Sequence, residues 1–406
     1  MISIEEAQQI ILQHVKQTDP EDVQLLQSLG RIISKDIAAP WDIPLTDNSA
    51  MDGYAFSSLS SQREQWVVAD FIPAGSCRTT NVMPSEAVKI MTGAPIPPGC
   101  DTVVPVEEVE QTASGIRLTG AIKPGAHIRF RGEDVKADEI VICAGSIIRP
   151  QEIGMLVSLG MTTVPTYRPI RVAILATGDE LLEAGSKPDA GKIINSNSHS
   201  LAAQVLEAGG EPLILGVAAD TDEATIEKIR EGLAADMLIT TGGVSVGDRD
   251  CVKESIASLG GKLVFWKVNM KPGKPVAFAM LEEKPVFALP GNPVAAMVGF
   301  EMFVRPAILR MMGHSRIHRP RIRATLHEEF RNRGDRPHLV RVQVALESGA
   351  YGVSTTTNQS SANLASLTRS NGLLCLPPNA LLAAGCQADV MLLDRNFEMG
   401  QNSEAV

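Results

Sequence analysis

The segment LITTGGVSVGDRD, residues 238–250, follows an apolar run with two adjacent glycines, a serine and two acids. Gly242 and Gly243 allow tight backbone geometry and leave room for a ligand to touch the main chain. If a helix begins near Cys251, its unpaired amides favour an anion such as phosphate, and Ser245 adds a hydroxyl donor. Asp248 and Asp250 would repel that phosphate unless a divalent cation lies between them. Mg²⁺, held through carboxylates and substrate phosphate, removes the conflict. No lysine completes a GxxxxGK[ST] loop, so a P-loop nucleoside triphosphatase is not supported. A generic strand-to-helix turn accounts for the glycines, but less well for the acids.

Other residues offer related chemistry. Asp179 and Glu180 follow the apolar run IRVAILATG, and Asp220 follows LILGVAA. Each acid alone reads equally as a solvated loop residue or a helix cap; their common placement at strand ends favours a joint role. FWKVNMKPGKP places Lys267, Lys271 and Lys274 within one short segment, enough positive charge to neutralise phosphate or an oxyanion. An ordinary basic surface loop is the alternative. In LPGNP, residues 289–293, Pro290 shapes a strand-to-helix elbow and Asn292 begins the helix. Asp52, Thr92 and Asp134 are polar candidates in distinctive turns whose chemistry is not readable unaided. The histidines lack metal-ligand spacing, and neither a G-x-S-x-G elbow nor a Ser-His-Asp order is present.

The elements that must carry these residues follow from periodicity. IRVAILAT, EPLILGV and ADMLIT read as strands, and NSHSLAAQVLEAGG and EATIEKIREGLA as helices between them. KLVFWKV, VAFAML and PVFALP add strands before a long closing helix at NPVAAMVGFEMFVRPAILRMM. This alternation predicts a three-layer α/β domain over 166–317, with ligands at the carboxyl ends of its strands. Residues 3–16 predict a helix, 42–135 a β-rich module, and a further helix begins after Pro150. From 318 to 400 alternating runs predict a small β domain, a barrel or a sandwich.

Composition restricts the function classes. The 406 residues carry 37 basic and 47 acidic side chains, a net charge of -10. That balance argues against wrapping a nucleic-acid backbone. The basic stretch RPRIRATLHEEFRNRGDRPHLVRV lacks the aromatic interleaving that RNA binding would use. No apolar stretch reaches membrane-spanning length and the amino terminus has no secretory pattern, so a cytoplasmic protein without membrane attachment is expected. The six cysteines form no CxxC pair and are expected to be reduced.

Taken together, DNSAMDGYA, IMTGAPIPPGCDTVV, IRFRGEDV, ATGDEL, TTGGVSVGDRD, FWKVNMKPGKP and LPGNPVAAMV resemble the molybdopterin molybdenumtransferase family, which includes the gephyrin E domain and its plant counterpart. The resemblance runs in order along nearly the whole chain. It implies a multidomain α/β subunit in four parts: an N-terminal helical/β region of 1–41 with 136–165, an inserted β-rich domain of 42–135, a molybdopterin-binding-like α/β domain of 166–317, and a C-terminal small β domain of 318–400. It further implies a homodimer whose active cleft both subunits build, and transient contacts with other molybdenum cofactor biosynthesis proteins. The implied reaction takes adenylylated molybdopterin and molybdate to molybdenum cofactor and AMP, with Mg²⁺ as helper.

Carried onto this chain, the family motifs assign catalytic roles to Asp52, Thr92, Asp134, Glu180, Lys267 and Lys271. Substrate or nucleotide contacts fall on Gly242, Gly243, Ser245, Asp220, Asp250 and Ser361. Asp220 and Asp250 are the metal candidates, and Pro290 and Pro293 the structural elbow. The chain departs from the pattern at Ser196, where an aspartate is common, and at Asp248, which stands for a glutamate. Two alternatives remain: adenylylation of molybdopterin, which uses a similar α/β domain, and a scaffold that keeps the fold.

Overall fold

The computed structural model describes residues 1–60, 62–120, 123–187, 189–244, 251–347, 349–356 and 358–394. Two units divide the chain. One comprises residues 24–26 and 35–164; the other comprises 1–23, 27–34 and 165–406.

The smaller unit is built on a four-stranded sheet: β1 (Gly53–Phe56), β2 (Val67–Ile72), β3 (Glu86–Ile90) and β4 (Thr102–Pro105), in the order β2-β3-β1-β4. Tyr54, Phe56, Trp66, Val104 and Ile116 form one apolar cluster, and Ala55, Val88, Ile90 and Val103 belong to another. The alternation of Tyr54, Ala55 and Phe56 between them is the period of two expected of a strand buried on both sides. A Cβ at position 53 would lie 2.1 Å from the carbonyl oxygen of Val104, so only glycine fits there. A helix over Pro150–Ser158 starts with proline in its first turn, where no intrahelical N–H is lost.

The larger unit begins with helix α1 (Ile4–His14), capped by a reciprocal pair in which Ser3 and Glu6 satisfy each other's backbone amides. Ile4, Ala7 and Ile11 bury one stripe of it. The central sheet contains β5 (Arg171–Thr177), β6 (Glu211–Ala218), β7 (Met237–Thr241), β8 (Lys262–Trp266), β9 (Ala277–Leu281) and β10 (Lys284–Leu289), ordered β6-β5-β7-β10-β9-β8. β6, β5, β7 and β10 run parallel, while β9 runs antiparallel to both its neighbours, β10 and β8. Val172 to Ala176 are all essentially inaccessible, the continuous apolar run of a strand covered on both faces.

The helices covering those faces number α2 to α6 onward from α1 within this unit: α2 (Asn197–Glu207), α3 (Asp222–Gly232), α4 (Cys251–Ser258), α5 (Pro293–Gly299) and α6 (Arg305–Met311). Leu201, Val205, Val298, Phe303 and Ile308 pack with α1 on one face, and Ile229, Val252 and Ile256 on the other. This is the expected three-layer arrangement. The closing helix is continuous in sequence but passes through a π-helical turn over Phe300–Val304 between α5 and α6. Beyond it, β11 (Arg321–Leu326), β12 (His338–Glu347), β13 (Ala350–Thr355), β14 (Gly372–Leu376) and β15 (Gln387–Leu392) close a barrel in the order β11-β13-β12-β14-β15. The sequence left barrel and sandwich open; closure leaves no unpaired sheet edge.

Candidate functional site

The carboxyl ends of the parallel strands open onto a cleft of about 870 Å³. β5 leads into Gly178 and Glu180, β6 toward Asp220, β7 into Gly242 and Gly243, and β10 into the Pro290 elbow; all these residues line it. Asn195, Ser196 and Asn197 bring the start of α2 to the same wall. Ser196 at the α2 start makes no side-chain cap, but Asn195 Oδ1 accepts from the Ser198 amide at 3.2 Å and satisfies one of the first-turn donors.

Backbone geometry explains the glycines. Gly242 has φ +96°, and a Cβ there would stand 2.4 Å from the carbonyl oxygen of Thr177. Gly243 has φ +58°, with the Thr177 hydroxyl 2.9 Å from the corresponding point. At Gly178 the space a Cβ would fill holds the Glu180 carboxylate, whose Oε2 is 2.7 Å from that point.

The cleft floor is tied by hydrogen bonds. Asn197 Nδ2 donates to Thr241 Oγ1 and to the Gly291 carbonyl, each at 2.8 Å. Thr241 Oγ1 donates to the Pro290 carbonyl at 3.1 Å. One asparagine thereby joins three chain segments. Asn197 Oδ1 and Thr177 Oγ1 are buried and lack hydrogen-bond partners among the described residues.

Asp220 and Asp179 form a reciprocal pair: the Asp220 amide donates to Asp179 Oδ1 at 3.1 Å, and the Asp179 amide to Asp220 Oδ2 at 3.4 Å. Asp179 is exposed and Asp220 is half-buried. No group of three His, Cys, Asp or Glu converges among the described residues. Magnesium is held through one or two carboxylates, with water and phosphate oxygens completing its shell, so Asp220 and Glu180 suit it as donors.

A second cleft of about 640 Å³ shares Pro275, Pro290 and Asn292 with the first. Lys271, Lys274 and Arg336 line it with Asn358, Gln359, Ser360 and Ser361, and no acid is among the described lining residues. Ser361 meets the elbow directly: Asn292 Nδ2 donates to its Oγ at 3.1 Å, and the Val294 amide to its carbonyl at 3.1 Å. Pro293 starts α5 in its first turn. Arg336 Nη1 donates to the Met270 carbonyl at 3.2 Å, anchoring the lysine segment to the barrel loop. His338, buried beside Lys271, is driven down to about 4, first by loss of solvation and then by the charges of Lys271 and Arg341. It therefore stays neutral near pH 7 and leaves the positive charge to its neighbours.

Lys267 is placed differently from its two companions. Its ammonium stands 3.7 Å from the ring centre of Trp266, and it lines neither cleft among the described residues. Ser245, Asp248 and Asp250 lie outside the described residues.

In the smaller unit, Asp52 and Thr92 are brought together. The amide and hydroxyl of Thr92 both donate to Asp52 Oδ1 at 2.7 Å. Those two donors, the amide first, hold the Asp52 carboxyl below the usual carboxylate range. Asp134 is exposed, and its amide donates to the Ile43 carbonyl at 3.1 Å. Sequence reasoning missed Arg336, Asn358 and Gln359. Arg336 sits in a stretch that reads only as locally basic, 65 positions after Lys271, and nothing in the spacing joins them.

Comparison with known proteins agrees along the chain. Residues 2–160 match the MoeA N-terminal region (domain I and II), 173–310 the probable molybdopterin binding domain, and 323–393 the MoeA C-terminal region (domain IV). Molybdopterin molybdenumtransferase 2 of Mycobacterium tuberculosis is 36% identical over 405 residues, covering 96% of this chain and 99% of that protein. The molybdopterin molybdenumtransferase of Staphylococcus epidermidis is 35% identical over 404 residues, covering 97% and 96%. A molybdopterin biosynthesis moeA protein from Pyrococcus horikoshii OT3 superposes with TM-score 0.81 at 29% identity, covering 97% of this chain and all 100% of that one. A second Pyrococcus structure of the same description reaches TM-score 0.85 at 25% identity, covering 97% and 99%.

Proposed function

The chain belongs to the molybdopterin molybdenumtransferase family, and we propose that it inserts molybdenum from molybdate into adenylylated molybdopterin, releasing AMP. The observation that carries this reading is the pair of joined clefts with unlike linings. The larger offers glycine backbone and asparagine side chains beside the start of α2, which suit a phosphorylated heterocycle. The smaller offers two lysines and an arginine, which suit a small oxyanion such as molybdate. Their shared wall at Pro275, Pro290 and Asn292 supports passage of one reactant to the other without release.

In this reading Gly242 and Gly243 let phosphate approach the main chain, and Ser245 and Asp250 serve the nucleotide. Asn197 fixes the elbow against β7. Lys271, Lys274 and Arg336 hold molybdate and offset charge as the pyrophosphate bond breaks, while Ser361 borders the passage. Asp220, Glu180 and Asp250 would hold Mg²⁺. When bound, that ion polarises the pyrophosphate. Asp52, Thr92 and Asp134 act on the same substrate in a cleft completed by a second copy, which makes the working form a homodimer. We place the reaction in the cytoplasm, beside the proteins that supply and accept an unstable cofactor.

The test is to supply adenylylated molybdopterin with and without molybdate and to measure AMP. Molybdate-dependent AMP release supports the proposal. Formation of adenylylated molybdopterin from molybdopterin and ATP would favour the adenylyltransferase instead, and neither activity would favour a scaffold.

A further inference from the structure

Trp266 ends β8 and is in contact with three groups, of which Val244 lines the larger cleft. Its indole Nε1 donates to the Val244 carbonyl at 3.3 Å. The ammonium of Lys253, on α4, stands 3.7 Å from the ring centre, as does that of Lys267. Val244 lines the cleft directly after Gly242 and Gly243. Lys267 takes φ +70°, an uncommon conformation for a residue with a side chain. The ring itself packs on the core that contains Val244, Val252 and Ile256.

We infer that Trp266 is a positioning residue for the cleft, tying Val244 at the end of the glycine turn to Lys253 on the first turn of α4 and seating Lys267 on the same ring. This rests on the function proposed above. Val244 and Lys253 belong to separate segments that must hold a fixed spacing if the glycine backbone is to meet a phosphate. An indole suits the task because one edge donates a hydrogen bond while its π-face attracts ammonium groups. Lys267 therefore acts through Trp266, and its positive charge stays close to the turn without entering the cleft lining.

Two substitutions separate the contacts. Trp266→Phe keeps an aromatic face, a weaker partner for ammonium, and removes the N–H. Trp266→Leu removes both. With AMP release as readout, Trp266→Leu is expected to raise KM for adenylylated molybdopterin about tenfold, the factor corresponding to roughly 1.4 kcal/mol. Trp266→Phe should give a smaller rise, and kcat at saturating substrate should change less than KM in both. A folded Trp266→Leu protein with wild-type KM would overturn the inference. If that variant does not fold, Trp266→Phe carries the test by the same criterion. Amide hydrogen exchange supplies a readout independent of turnover: faster exchange at residues 243–244 and 251–254 in Trp266→Phe supports the tie, and unchanged exchange there overturns it. Failure of the wild type to release AMP would strike the functional reading alone, and the exchange result would still decide whether Trp266 positions the turn.

Discussion

Asn197 and Thr241 are joined by a 2.8 Å hydrogen bond that links the first turn of one helix to the last residue of a central strand. The same amide nitrogen also donates to the Gly291 carbonyl, so both its protons are engaged on protein acceptors. Asn197→Ala would leave the Gly291 carbonyl and Thr241 hydroxyl without this donor in a buried place. A loss of about 1–3 kcal/mol in unfolding free energy is expected, with a larger proportional fall in AMP release as the elbow shifts. Urea unfolding measures the first and turnover the second. A stability within experimental error of wild type would show that Asn197 does not hold the elbow.

Gly242→Ala tests the turn itself. A methyl group at φ +96° and 2.4 Å from the Thr177 carbonyl oxygen forces the backbone to move. Strain of this kind costs on the order of 1–3 kcal/mol. Because the turn lines the cleft, binding of AMP should weaken beyond what the stability loss explains. Calorimetric titration with AMP on the folded variant reads that difference, and wild-type affinity would remove this backbone from the nucleotide contact.

The lysines of FWKVNMKPGKP should separate by function. Lys271 lines the oxyanion-suited cleft, whereas the ammonium of Lys267 rests on Trp266. Lys271→Ala is predicted to raise the molybdate concentration needed for half-maximal AMP release by at least about tenfold, the effect of losing roughly 1.4 kcal/mol of charge interaction. Lys267→Ala should leave that molybdate requirement nearly unchanged and act on substrate KM. Equal responses of the two variants to a molybdate titration would refute the separation.

The α/β domain was legible because its chemistry and its folding pattern coincide. Val172 to Ala176 form an apolar run followed by glycine and acid, and apolar runs that end in glycine turns recur at β7 and β10. The pairing of Lys271 with Arg336 was not legible. It depends on a bridge between residue 271 and His338, and on the Met270 carbonyl accepting from Arg336, contacts that only closure of the barrel loop against the lysine segment creates. Local spacing likewise placed Lys267 with Lys271, because a positive φ and an aromatic neighbour cannot be read from three lysines in a row of eight residues. Asp52 and Thr92 stand out in the sequence only as polar residues in distinctive turns, and resemblance alone gives them a role; the two 2.7 Å bonds join them locally.

His338 should imprint a pH dependence on stability. Its folded pKa of about 4 lies below the ordinary 6.5 because burial and the nearby Lys271 and Arg341 charges disfavour the imidazolium. Between those values the unfolded chain binds a proton that the folded chain does not. The stabilising contribution is complete above pH 6.5 and declines as pH falls toward 4. His338→Phe, which cannot titrate, should flatten that part of the profile. Urea unfolding of both proteins at several values across this range measures the difference. Parallel profiles would show that His338 does not titrate differently on folding.

The last prediction concerns Asp220, which lines the larger cleft and accepts the Asp179 amide through Oδ2. Asp220→Asn keeps the size of the side chain and one oxygen acceptor, so the bond from Asp179 can persist. What it removes is the negative charge that a hard divalent cation prefers. If Asp220 serves Mg²⁺, the variant should remain folded, release AMP at least about tenfold more slowly at low Mg²⁺, and recover part of that rate as Mg²⁺ rises, because a weakened site is still filled by mass action. If Asp220 only shapes the turn with Asp179, its charge is immaterial and the Mg²⁺ titration should superpose on that of the parent. A comparison of AMP release across a Mg²⁺ series therefore distinguishes a metal-holding carboxylate from a turn-forming one. A rate loss that no Mg²⁺ concentration relieves would reject both accounts and point instead to direct contact between Asp220 and the substrate.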